Sequence, residues 1–185
     1  MKRILYTIGL LWACAMTQAQ TLLPPVWQGS ADVQYSSRTI AYLPPTRIVW
    51  QETTGSSSIE GIDKLLLPGN GQAELVGGKE CVIRKRPDGK VSFLLDFGRE
   101  LQGGIQIVTG QSSRKEAKVR IRFGESVSEA MCDITPENGA TNDHAIRDFH
   151  FTLPWLGVAE IGNSGFRFVR IDVEEPDIDL LLKEV

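Results

Sequence analysis

Between Gly124 and Asp143 the chain carries Glu125, Glu129, Asp133, Glu137, Asn138, Asn142 and Asp143, its densest run of side chains able to hold a cation or move a proton. Hard cations such as calcium take six to eight oxygen ligands from carboxylates and carbonyls. Asp133, Glu137 and Asp143 are the candidate ligands for such a site. The spacing fits no EF-hand loop, and a solvated connection between strands accounts for the same composition, so no cofactor is the first expectation and calcium the second. Inverting glycoside hydrolysis needs two carboxyls about 6.5–9.5 Å apart, one with a raised pKa. Many acid pairs here could meet that distance, so the criterion selects none, and no residue is assigned a catalytic role. His144 and Asp148, four apart in a strand-like stretch, share a face; a surface hydrogen bond is preferred over an acid–base pair.

Other reactive patterns are missing. There is no G-x-S-x-G elbow and no P-loop. Gly98 and Gly103-Gly104 read as bends, and Lys118, Arg120 and Arg122 as the solvated face of a strand. A flat exposed ring can stack on the apolar face of a sugar, and Trp27, Trp50 and Trp155 are the rings to consider. Trp155 follows Pro154 at a strand-to-loop junction, which makes it the carbohydrate-contact candidate, with His144, Asn142 and Asp143 as polar neighbours. The competing reading is a packing anchor, since tryptophan is mostly buried on average.

The elements that must position these groups are strands. Lys118-Val119-Arg120-Ile121-Arg122-Phe123 alternates polar and apolar without a fault, as a half-buried strand does. Val91, Phe93, Leu95 and Phe97 fall on one face of another. Val82 to Arg86 and Lys90 to Phe97 flank Pro87-Asp88-Gly89 and read as a hairpin. Phe149, Phe151 and Leu153 continue the alternation. The apolar phase slips between Phe168 and Val169, as one extra residue in a bulge would make it do. Ile178 to Leu182 forms a further candidate strand. No window of twelve residues carries a helical stripe, and strands recurring about every ten residues with turn chemistry between them predict an all-β antiparallel sandwich or jelly roll. The expected organisation is a leader over 1–19, an irregular arm over 20–72 that adds a strand or two, and the sandwich over 73–185.

Composition narrows the function classes. The 185 residues are 42% hydrophobic and 23% charged, with a net charge of −3, an ordinary globular balance. Lys2 and Arg3, the apolar run Ile4 to Met16 and Thr17-Gln18-Ala19 have the plan of a secretory signal peptide cleaved after Ala19. The run is shorter than the roughly 20 residues that span a bilayer, so export to the periplasm or medium is expected without a membrane span. A lipoprotein signal at Cys14 is the lesser alternative, because Trp12 sits where a smaller residue is usual. Cleavage removes two of the 20 basic residues and none of the 23 acidic ones, leaving about −5. An acidic chain without a basic block is a poor ligand for nucleic acid, whose binding is driven by phosphate neutralisation. Cys81 and Cys132 allow one bridge or two reduced thiols.

Leu94-Leu95-Asp96-Phe97-Gly98-Arg99-Glu100-Leu101-Gln102-Gly103-Gly104 resembles the segment that opens the β-sandwich region ahead of the catalytic domain in bacterial α-L-rhamnosidases. Val119 to Phe123 with Gly124-Glu125-Ser126, then Thr141-Asn142-Asp143-His144, Arg147-Asp148-Phe149 and Gly165-Phe166-Arg167-Phe168-Val169-Arg170, resemble later pieces of the same region in the same order. The resemblance implies an exported enzyme that removes terminal L-rhamnose from glycans, with its acid and base in a helical barrel C-terminal to the sandwich. The chain stops at Val185, about where that barrel is expected to begin, and no position here matches the family's catalytic glutamates. An accessory sandwich that packs on such a barrel is therefore the expected role, with a free-standing carbohydrate-binding module as the alternative and a complete hydrolase as the least supported. Arg99 and Arg170 are expected to pair with Glu100 or Asp96, or with a neighbouring domain.

Overall fold

The computed structural model describes residues 40–75, 78, 80–113, 116–133 and 147–185. These belong to one compact unit, Ile40–Val185. Among the described residues the strands are β1 (Arg47–Thr53), β2 (Ser58–Glu60), β3 (Cys81–Lys85), β4 (Val91–Thr109), β5 (Glu116–Gly124), β6 (Arg147–Pro154), β7 (Gly157–Val173) and β8 (Ile178–Glu184), with a 3-10 turn at Ile62–Leu66 and a short α-helix, α1 (Val127–Met131). The hydrogen-bonded order is β2-β3-β8-β4-β7-β5-β6, with β1 added along β4. The fold is the expected all-β antiparallel sandwich.

Two long strands make the sandwich. The first part of β4 pairs with β1 and with the end of β7 (Ser92 opposite Asp172 through Asp96 opposite Phe168), and that end of β7 pairs with β5, which pairs with β6. The second part of β4 pairs with the start of β7 (Leu101 opposite Phe166 through Thr109 opposite Gly157) and reaches β8, which pairs with β3. Each long strand thus runs from a front layer into a back layer, and the register breaks at Asp96/Leu101 and Gly103/Ile105 mark the bend. A Cβ at Gly104 would collide with the Gly162 carbonyl of the crossing strand, so the close backbone approach demands a residue without a side chain.

Val91, Phe93, Leu95, Val119, Ile121, Phe123, Val169 and Ile171 from the front layer face Ile105, Ile107, Ile161, Leu180 and Leu182 from the back. Each such fully buried side chain contributes about 1.5–3 kcal/mol of transfer free energy. Phe123 and Phe166 meet edge to face with centroids 5.0 Å apart, and Phe97 and Phe149 extend the ring cluster. A second, smaller cluster lies on the outward side of the front layer, where Leu94, Phe168 and Ala130 pack with Val49, Trp50 and Met131.

Two sequence expectations are corrected here. Pro87-Asp88-Gly89 is not a hairpin turn: β3 pairs with β2 and β8 in the back layer, whereas β4 sets out in the front layer. The turn is a corner between layers, and the Asp88 carboxylate accepts from the Ser56 backbone N–H at 3.1 Å and its hydroxyl at 2.9 Å. Nor does a bulge separate Phe168 from Val169, which pair in unbroken register with Asp96 and Leu95. The phase slips because Phe168 belongs to the outward cluster and Val169 to the core, so both faces are apolar there.

Candidate functional site

The outward face of the front layer carries a strand-walled cleft of about 270 Å³, lined among others by Glu52 of β1, Lys90 and Ser92 at the start of β4, Arg120 and Arg122 of β5, and Asp172 near the end of β7. The strand period alone puts Ser92, Asp172, Arg122 and Arg120 on this side, because each occupies the pleat opposite a core residue. Three of these strands are adjacent in the sheet, so their side chains converge.

Asp172 is the centre of the arrangement. Its Oδ1 accepts from the Ser92 hydroxyl at 2.5 Å and from Arg170 Nε at 2.9 Å, and its Oδ2 from Arg122 Nη2 at 2.8 Å. Burial pushes its carboxyl up, but the Ser92 hydroxyl, Arg170 and Arg122 outweigh burial and hold it below the usual carboxylate range. Arg170 in turn lies over the Trp50 ring, 5.1 Å from its centroid, a cation–π contact that ties the cleft to the outward apolar cluster.

Arg122 is 2% exposed and reaches Asp172 with one nitrogen and Asp133 with the other. The same Nη1 also donates to the Cys132 carbonyl at 3.1 Å, while its Nε is buried without a hydrogen-bond partner. Arg120 grips Asp148 through two nitrogens and also meets Asp133 at 2.9 Å. Its guanidinium holds its proton more tightly than usual, chiefly because of the hydrogen bond to Asp148.

The helix α1 delivers Asp133 to this place. Ser126 caps it: the hydroxyl accepts from Glu129 N–H at 3.2 Å while the Glu129 carboxylate accepts from Ser126 N–H at 3.1 Å, a capping box. Gly124 lets the turn close, since a Cβ there would stand 2.5 Å from the Ala130 nitrogen. The Gly-Glu-Ser piece seen in the sequence is thus the entry to the only helical cover on this face among the described residues.

A second charged cluster sits at the bend. Asp96, 2% exposed, accepts from Arg167 through both oxygens (2.9 and 3.1 Å), from Gly98 N–H at 2.7 Å and from Arg47 at 2.7 Å. Arg167, working against burial and joined by Gly98 and Arg47, brings its carboxyl to about 2. Of the partners expected for Arg170, neither Glu100 nor Asp96 is the one it meets; it pairs with Asp172, two residues along the same strand and on the same outward face. The basic stripe of β5 is corrected as well: Lys118 is exposed, but Arg120 is half-buried and Arg122 is buried, because α1 and the acids on neighbouring strands close over it.

Trp155 is 41% exposed in the turn between β6 and β7, and its carbonyl accepts from Ser112 N–H at 3.0 Å; it does not line the cleft. His144, Asn142, Asp143 and Glu137 lie outside the described residues, so the His144–Asp148 pairing and the three-acid calcium set have no described geometry. Among the described residues no group of three or more His, Cys, Asp or Glu could hold a metal ion. No helix of the described residues is long and apolar enough to cross a membrane. Cys81 and Cys132 are not bridged, and burial pushes the Cys81 thiol up to about 12.

No family model and no curated protein matches the chain. Among solved structures it is similar to a rhamnosidase from Klebsiella oxytoca with rhamnose bound, at 17% identity and a TM-score of 0.43 over 76% of this chain, which spans only 27% of that enzyme. It is also similar to a fucose binding module of Streptococcus pneumoniae, at 12% identity and a TM-score of 0.44 over 82% of this chain and 96% of the module. Ligand and activity therefore rest on the residues of this chain.

Proposed function

We propose that this chain is a non-catalytic carbohydrate-binding sandwich, an accessory domain of an exported rhamnosidase-like protein that engages a rhamnose-containing glycan at the front-layer cleft. The observation that carries the reading is the state of the cleft's acids. Asp172 is locked in its ionised form by Ser92, Arg170 and Arg122, which suits it to accept hydrogen bonds and not to donate a proton. General-acid chemistry needs the opposite, a carboxyl with a raised pKa. Alternating fixed acceptors and guanidinium donors on a rigid strand floor match the hydroxyls of a sugar, and little ordering entropy remains to be lost on binding. Of the rhamnosidase-like segments, those over Val119 to Phe123 and Gly165 to Arg170 bring Arg120, Arg122 and Arg170 to this floor.

Trp50 provides the readout, because it touches Arg170 at the cleft. Titration with a rhamnose-containing oligosaccharide is expected to give a saturable change in tryptophan fluorescence that disappears in Trp50→Phe. Lys90→Ala at the exposed rim is expected to weaken binding, and Trp155→Phe to leave it unchanged. Release of nitrophenol from an aryl rhamnoside is expected to stay at the uncatalysed rate. A flat titration across rhamnosides would defeat the binding reading and leave a packing domain.

A further inference from the structure

Asp133 is held differently from every other acid around the cleft. Its Oδ1 meets Arg120 Nη1 and Arg122 Nη1, both at 2.9 Å, so one carboxylate oxygen bridges two guanidinium groups that stand two residues apart on β5. Asp172 and Asp148, the other acidic partners of these arginines, project from neighbouring strands and are 15% and 12% exposed. Asp133 instead follows the short helix α1, belongs to no strand and is 59% exposed. The donors are fixed and the acceptor is peripheral. Arg122 is nine-tenths buried, and it is Nη1, not the enclosed Nε, that meets Asp133.

We propose that the Arg120–Arg122 pair is a carboxylate subsite of the cleft, that Asp133 occupies it as a built-in competitor, and that a uronic-acid residue of the glycan displaces Asp133 to bind there. This rests on the reading of the cleft as a sugar site and adds the charge class of the sugar. Exchange of one carboxylate for another conserves the charge facing the arginines, so neither guanidinium is left bare at any stage. Paired guanidinium donors favour carboxylates through charge-assisted hydrogen bonds, and Asp133, 59% exposed, is the acid of this set that solvent reaches most. The fixed acceptors Asp172 and Asp148 then disfavour a second anionic group nearby, which restricts the subsite to one carboxylate per sugar.

The experiment is a calorimetric titration of the wild-type chain, Asp133→Asn and Asp133→Asn/Arg120→Gln with an oligosaccharide of rhamnose and galacturonate and with its carboxyl-reduced counterpart. Asp133→Asn is expected to bind the uronate about tenfold more tightly than wild type, a change of about 1.4 kcal/mol. The reduced sugar should bind both chains alike, and Arg120→Gln should remove the gain. Circular dichroism checks that each variant is folded, and Arg120 is chosen over the more buried Arg122 for this reason. If the reduced and the acidic sugars bind equally well to wild type and Asp133→Asn, the subsite is overturned while the cleft remains a sugar site. If neither binds to any folded variant, the subsite falls together with the sugar reading. A glutamate-rich peptide that gains as much from Asp133→Asn as the uronate does would overturn the sugar as the source of the carboxylate.

Discussion

The outward faces of the two layers obey the same strand alternation and end in different states. On the back layer, Glu160 of β7 accepts from Gln106 of β4 at 3.2 Å and from Tyr42 at 3.1 Å, all in contact with water. On the front layer, Ser92, Arg122, Arg170 and Asp172 occupy the equivalent outward pleats, yet they form a closed ion-pair network beside Leu94 and Phe168. The difference is the cover. Trp50 of β1 and the helix α1 pack on the front face, removing water from charges that must then satisfy one another.

The contrast can be broken most forcefully at Arg122. Arg122→Met leaves Asp172 with a smaller set of donors in a covered site and is expected to cost about 3–5 kcal/mol in urea unfolding, the range for orphaning a buried charge. Arg122→Met/Asp172→Leu should recover only part of that loss, because Arg170 then gives up its acid partner. Leu94→Ala, which opens a cavity in the outward cluster, is expected to cost about 2–5 kcal/mol. If it costs no more than a surface change, the face is not covered in solution.

Asp96 sharpens the comparison through pH. Its folded-state carboxyl is held at about 2, below the roughly 3.9 of an unfolded aspartate. The stabilisation is therefore fully present above pH 4 and lost as pH falls from about 4 towards 2. Arg47 and Arg167 are 62% and 39% exposed, so screening keeps the contribution to about 1–2 kcal/mol. Asp96→Asn should lower stability by that amount at neutral pH and flatten the acid limb of the stability curve. At the small end, Glu160→Gln on the back face is expected to leave the urea midpoint within error. A shift there as large as that of Asp96→Asn would erase the distinction between the faces.

The strands themselves were legible in the residues. Lys118 to Phe123 alternates because its core face is apolar over its whole length, and Val91 to Phe97 repeats the pattern. Two features misled. Pro87-Asp88-Gly89 has hairpin chemistry, but local turn propensity does not encode which layer the next strand joins; that depends on β7 and β8, more than 60 residues away. Charge at alternate positions marks an outward face, and outward was equated with wet. Arg122 shows the error: only the docking of α1, with its Ser126–Glu129 capping box, turns that position inward to protein. Ser126 and Glu129 have capping-box spacing, but so do Ser57 with Glu60 and Ser113 with Glu116, where both glutamates lie in strands, so the spacing alone does not single out the helix. The cleft could not be read in advance because Ser92, Arg122 and Asp172 are brought together by sheet order alone.

Because β4 and β7 are each part of both layers, neither layer has a boundary along which it could peel away. Their ladder joins residues some 50 to 80 positions apart, and such distant pairing is slow to close from a disordered chain. Opening it should be all-or-none: a protease cut at the Pro87-Asp88-Gly89 corner would leave the pieces interlocked, and amides on the two layers should exchange with solvent at one common rate in a single global event.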